Sequence, residues 1–352
     1  MSTRTTTTAA PTITTVAVSP ASKAGKHYRA GRETSARAAG FPAERGINLH
    51  YFGGKTIEKL TFTNVYLGGK AAWSADDIQK IDSGLSKALA DPHLNNVIAQ
   101  YYADEAPTTT FKPSRILEGP LPHRVFRDTV EGFVAALDQS NALAGFDLSS
   151  TVICFMLPRG VVLVDGTSTG QQKRHDADEP HHRDHDGDED DEPKFNPALG
   201  ELDEAVDSKH GLGGYHGSIH AKHGGKTDTV YYAVGVYSEG TNGIVAFDEP
   251  WKSVCATFYH ELCEARTDPD VEDAIRAGDT PTADRFLGWY SPKGGEIGDI
   301  PMEEAGANLG AVMKEVPLSD GSGTVPVQLQ WSNAVGGPEG PIAKKHRAAK
   351  RT

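Results

Sequence analysis

The segment Glu249–Asp268, reading EPWKSVCATFYHELCEARTD, carries the residues with the clearest chemical potential. His260 and Glu264 stand four residues apart, which on a helix sets them within about 40° of each other at roughly 100° per residue. An imidazole and a carboxylate at that spacing can reach one metal ion together, which is why zinc proteases place two ligands at i and i+4. Glu261 directly follows the first of them, where such enzymes keep the general base for the attacking water. Trp251, Val254, Cys255, Phe258, Leu262 and Ala265 fall within about 100° of one another on the other side. A helix over about 250–267 is therefore expected, apolar on one stripe, with His260 and Glu264 opposite and Asp268 near their face. The competing reading of that polar side is a solvated helix face with ordinary charges.

A second group lies downstream, in Gly288-Trp-Tyr-Ser-Pro-Lys-Gly-Gly-Glu296-Ile-Gly-Asp299. It supplies two carboxylates on a glycine-flexible turn, and in one branch of zinc hydrolases a downstream Glu is the third ligand while an Asp holds a ligand histidine. The expected centre is Zn²⁺ on His260, Glu264 and Glu296, with Asp299 or Asp268 orienting His260. The plainer alternative is a tight hairpin with exposed acids. Glu264, Asp268, Glu296 and Asp299 also make a hard-oxygen set, so Ca²⁺ is the second candidate ion. His210, His216, His220 and His223 occupy a glycine-rich stretch expected to be an exposed loop, from which His216 could line the site. Cys154 and Cys263 read as packed core residues rather than nucleophiles or ligands.

These side chains need elements to hold them. Lys59–Gly69 alternates as a strand, and Ser74-Ala-Asp-Asp77 opens a helix with apolar positions at Ile78, Ile81, Leu85 and Leu89, closed at Asp91-Pro92. A second helix is expected at about 122–139. Thr151–Leu157 and Gly160–Asp165 read as a strand pair across a short Pro-Arg-Gly connection. Val230–Tyr237 and Val325–Trp331 read as later strands. Residues 171–194 contain ten acidic and four basic side chains and four histidines, with a single alanine as their only apolar residue. They are expected to form a disordered insertion. A calcium-loop reading there fails, since Glu189 and Phe195 stand where Gly and Glu are required.

Composition narrows the function classes. The chain of 352 residues is 38% hydrophobic and 24% charged, enough for a sizeable core. Its net charge of −13 argues against nucleic acid as the main partner. No stretch approaches the roughly 18–20 apolar residues of a membrane span. The Thr-, Ser- and Arg-rich start lacks a signal-peptide core, and residues 1–45 are expected to be a disordered basic tail, with 336–352 a second one. Three cysteines imply no disulfide framework. A cytoplasmic or otherwise reducing compartment is expected.

The order His260-Glu-Leu-Cys-Glu264, Thr267-Asp268-Pro269, Gly288-Trp289, Glu296-Ile-Gly-Asp299 and Trp331-Ser-Asn333 resembles the phosphate-induced, EXORDIUM-type proteins and their bacterial relatives. Those show HE-x-x-E-x-x-TDP, an EIGD turn and a late W-S-N or W-S-P. Tyr215-His216-Gly217 resembles a histidine motif that precedes the central strand in that group. The resemblance spans about 47–335 and is specific in 260–299. It implies a zincin-like fold of α+β class, with an active-site helix beneath a mixed sheet, in a single domain at 46–335. Secreted members tend to keep a cysteine after the EIGD turn and another after W-S-N. Here those stretches read Ile300-Pro301 and Ala334–Pro341, in keeping with a reducing compartment. The expected function is a zinc-dependent hydrolase acting on peptide or protein substrates with Glu261 as general base. The alternative is a non-catalytic protein that keeps the fold around a structural ion.

Overall fold

The computed structural model describes residues 41, 44–102, 106–168, 207–223, 226–277 and 283–349. Most of the expected N-terminal tail and the whole of the 171–194 insertion lie outside these residues. In chain order the strands are β1 (His50–Tyr51), β2 (Lys59–Leu67), β3 (Thr108–Leu117), β4 (Arg124–Phe126), β5 (Thr151–Leu157), β6 (Val162–Val164), β7 (Gly214–His223), β8 (Lys226–Val236), β9 (Trp289–Tyr290), β10 (Met313–Pro317), β11 (Thr324–Gln328), β12 (Gln330–Ser332) and β13 (Gly337–Glu339). The helices are α1 (Ala75–Ala90), α2 (Pro92–Ile98), α3 (Arg127–Gln139), α4 (Pro250–Thr267), α5 (Val271–Ala277) and α6 (Asp299–Ala305).

The class is α+β, built on a mixed five-stranded sheet in the order β3-β2-β5-β8-β7. The first four run parallel, and β7 returns antiparallel along β8 at the edge, with His216 opposite Ala233. Every residue of β5 (TVICFML) is buried, as expected for an inner parallel strand covered on both faces. Alternation splits its side chains between two cores. Val152, Cys154 and Met156 join the core that holds Leu85, Phe258 and Leu262, so α1 and α4 cover that face. Ile153, Phe155 and Leu157 join Val130 and Val134 of α3 on the other. Helices α1 and α4 touch closely where α1 has Gly84: a Cβ there would lie 2.9 Å from Cys255 Sγ.

Several expectations change. Residues 151–157 and 160–165 are not a hairpin. Both edges of β5 are taken by parallel neighbours, and the Pro158–Gly160 turn leads the chain out of that sheet to β6, which pairs parallel with β4. The helix expected from 122 begins at Arg127, because Arg124–Phe126 is spent on β4. The last strand breaks at Leu329 into β11 and β12. The glycine- and histidine-rich stretch is no exposed loop: it forms β7, with His216 only 2% exposed. Packing also continues past 335. Strand β13 pairs with β12, the Ile342 amide donates to the His93 carbonyl (3.0 Å), and the Ala349 amide donates to the Gln100 carbonyl (2.6 Å).

A candidate metal centre

Helix α4 starts with Pro250 at its first position, where the missing amide costs no hydrogen bond. Its apolar stripe faces the sheet and α1, as the sequence spacing requires. The polar side is not solvated: every residue from Ser253 to Thr267 is buried. Strand β7, strand β11 and the 288–299 segment close over it. The closure is tight at Gly298, where a Cβ would lie 2.3 Å from His260 Nδ1 and 2.9 Å from Glu264 Oε1. Only glycine lets that backbone pass.

His260, Glu261, Glu264, Asp268, Glu296 and Asp299 are each at most 1% exposed, and with His216 they form one buried cluster. His260 Nε2 is 3.1 Å from Glu264 Oε2 and 3.9 Å from Asp299 Oδ1. His216 Nδ1 is 3.7 Å from Glu264 Oε2 and 3.5 Å from Glu261 Oε2, and its Nε2 is 3.7 Å from Glu296 Oε1. Ligand-type atoms of His260, Glu264 and Asp299 all lie within 4.8 Å of one another, as do those of His216, Glu264 and Glu296. The pairing thus differs from the expected His260–Glu264–Glu296 set. Asp299, at the start of α6 beside Gly298, reaches the His260 side, while Glu296 reaches the His216 side.

The partners of the two imidazoles fix their tautomers. Gln328 Nε2 donates to the Gly298 carbonyl (2.6 Å), which leaves its Oε1 to accept from His260 Nδ1 (2.5 Å). The His260 lone pair therefore sits on Nε2. His216 Nε2 lies 3.2 Å from the main-chain carbonyl of Asp268, which can only accept, so its lone pair sits on Nδ1. Neither lone pair has a hydrogen-bond partner. The same holds for both oxygens of Glu261 and of Glu296, Glu264 Oε2, Asp268 Oδ2 and Asp299 Oδ1. Each such buried polar atom left unsatisfied costs about 1–3 kcal/mol. Imidazole lone pairs and bare carboxylate oxygens converging in a dry pocket form a donor set that a divalent cation satisfies, so the residues fit a metal ion.

Neighbouring groups hold the carboxylates in place. The amides of Gly298 and Asp299 both donate to Glu264 Oε1, at 3.1 and 3.0 Å. The Glu296 amide donates to Asp299 Oδ2 (3.2 Å), and the Gly288 amide to Asp268 Oδ1 (2.8 Å). Asp268 thus braces His216 through its backbone rather than orienting His260, a task that falls to Gln328. Gln328 left no mark in the sequence beyond a polar residue inside an apolar strand.

Electrostatics in the pocket are set by burial and crowding. Burial, reinforced by the other carboxylates, raises Glu296 and Asp299 well above the usual carboxyl range. Burial also raises Glu261, and it pushes Asp268 up to about 8. For His260 burial opposes the charge, but the Glu264 and Glu261 carboxylates outweigh it and push the imidazole up to about 10. His216 is raised by the same balance. Without a metal the cluster takes up protons. A cation would displace them.

Cys154, Cys255 and Cys263 are free and buried, and none is among the ligand groups. Among the described residues no helix is long and apolar enough to cross a membrane. No family model, curated protein or solved structure matches this chain.

Proposed function

We propose that this protein is a Zn²⁺-dependent hydrolase, a peptidase of zincin-like architecture. The observation that carries the reading is the pair of pinned tautomers, which leaves the lone pairs of His260 Nε2 and His216 Nδ1 bare in a pocket lined by carboxylates. Two imidazole nitrogens favour zinc over calcium, which prefers oxygen alone. The resemblance of the motif order to that of the EXORDIUM-type proteins, and the helix carrying His260 and Glu264 under a mixed sheet, support this reading.

His260, Glu264 and Asp299, with His216 and Glu296, would hold the metal. When bound, zinc supplies Lewis acidity toward a carbonyl oxygen and toward water. Glu261 supplies the base: both of its oxygens are unpartnered, one 3.9 Å from His260 Nε2 and the other 3.5 Å from His216 Nδ1. A carboxylate set between the two imidazoles suits a group that accepts a proton from the attacking water and hands it to the leaving amine. Gln328 and the Asp268 carbonyl keep the two imidazoles turned toward the metal.

One observation favours a second reading, a structural ion in a non-catalytic protein: the cluster is closed to solvent, its side chains 0–2% exposed. The experiment separates the two. Protein purified without added metal is assayed for zinc content and for hydrolysis of a broad peptide library, beside Glu261→Gln. The hydrolase reading expects zinc in both proteins and cleavage only by the parent, at least about 10²-fold faster than the variant. Zinc in both with no cleavage by either leaves the structural ion.

A further inference from the structure

The two ligand groups share Glu264 and nothing else, and each is organised around its own histidine. The two histidines are pinned independently, His260 by a side chain of β11 and His216 by the main chain at the end of α4. Glu264 is built to serve both sides: Oε1 is held by two backbone amides, and Oε2 stands unpartnered 3.1 Å from one lone-pair nitrogen and 3.7 Å from the other. Ligand atoms on one ion, each about 2.0–2.2 Å from it, lie roughly 3–4 Å apart, which matches both distances. Each side also has its own unpartnered carboxylate, Asp299 Oδ1 beside His260 and Glu296 beside His216.

We propose that the pocket is a dinuclear centre: one divalent ion on His260, Asp299 and Glu264, a second on His216, Glu296 and the same Glu264, whose Oε2 bridges them. Glu261, with one oxygen toward each histidine, would keep its role as base. The inference rests on the metal-hydrolase reading and deepens it, because paired ions clamp both the attacking and the leaving side of a substrate.

The test counts metal rather than turnover. Full-length protein is stripped with a chelator, reloaded with Zn²⁺ alone, desalted, and analysed by native mass spectrometry and elemental analysis. Two zinc per chain are expected. His216→Gln and His260→Gln are each expected to retain one, and Glu261→Gln two. One zinc in the parent overturns the dinuclear assignment and leaves the hydrolase reading standing. No zinc in the parent overturns both. Retention of both ions by His216→Gln also overturns the assignment, because that histidine is the defining ligand of the second site. Should either histidine variant fail to fold, the count on the parent chain decides alone.

Discussion

Gln328 does for His260 what an orienting carboxylate does in many zinc sites: it accepts from Nδ1 and leaves the Nε2 lone pair free to take a metal ion. Replacing it with Leu keeps the bulk and removes the acceptor. Gln328→Leu is expected to weaken zinc binding about 10–100-fold in a chelator competition, while Gln328→Glu, which still accepts, stays near the parent. Equal affinity in all three would show that the tautomer is not what holds the ion. At this scale the sequence was legible only in part. His260, Glu261 and Glu264 declare themselves through helical spacing, because i and i+4 is a local rule. That Asp299 and not Glu296 lies beside His260 depends on where the 288–299 segment crosses α4, and no local rule sets that crossing. Gln328 depends on a contact 68 residues away in the chain and was invisible.

Among the elements, α1 and α4 follow from helical periodicity, each turning an apolar stripe to the same core, while β2 and β8 follow from their strand-forming runs, whose two faces enter both cores. The misreadings have a shared cause in partner choice. Thr151–Leu157 and Gly160–Asp165 have the spacing of a hairpin, but β5 is buried on both faces and both its edges are hydrogen-bonded to β2 and β8, which leaves no edge for a hairpin partner. Strand β7 was hidden by its glycines, and with it the burial of the polar face of α4. The contact between α1 and α4 offers a test at the same scale. Exchanging Gly84 for a better helix former gains about 1 kcal/mol of propensity, but a branched side chain meets Cys255 Sγ at 2.9 Å and overpacks the interface by about 1–3 kcal/mol or more. Gly84→Val is expected to lower stability by about 1–3 kcal/mol in urea unfolding, and Cys255→Ala on top of it to recover part of the loss. A purely additive double mutant would mean that the two helices do not meet at that point.

For the whole molecule, the buried cluster makes metal-free stability depend on pH in an unusual direction. Asp268 is raised from 3.8 to about 8, and His260 from 6.5 to about 10, so both bind protons more tightly in the folded state. Where the folded chain binds more protons than the unfolded one, stability falls as pH rises. The contribution from Asp268 is fully present below about 4 and lost by about 8, and that from His260 is fully present below about 6.5 and lost by about 10. The stripped protein is therefore expected to melt at progressively lower temperature from pH 5 to pH 9, with zinc flattening the profile. A stripped protein that gains stability over that range would contradict this account of the pocket. The acidic insertion is expected to matter far less. The chain brackets it at a β-bridge between Val164 and Asp207, where the Ser208 amide donates to the Leu163 carbonyl (2.8 Å). The two ends thus already meet, and 171–194 has almost no apolar side chain to bury. Deleting 172–193 is expected to shift Tm by no more than a few degrees, and a large drop would show that the segment packs on the body.

The closure of the pocket has a consequence in time. The residues lining the pocket are 0–2% exposed, walled in by α4, β7, β11 and the 288–299 segment. Exchange of any occupant then requires these walls to part, a local opening of the chain, in addition to release from the ligands that hold it. A substrate would have to pass through the same opening, so ion exchange and turnover would both depend on one motion. An ion sealed in as the walls first close would record the metal available while the chain folded.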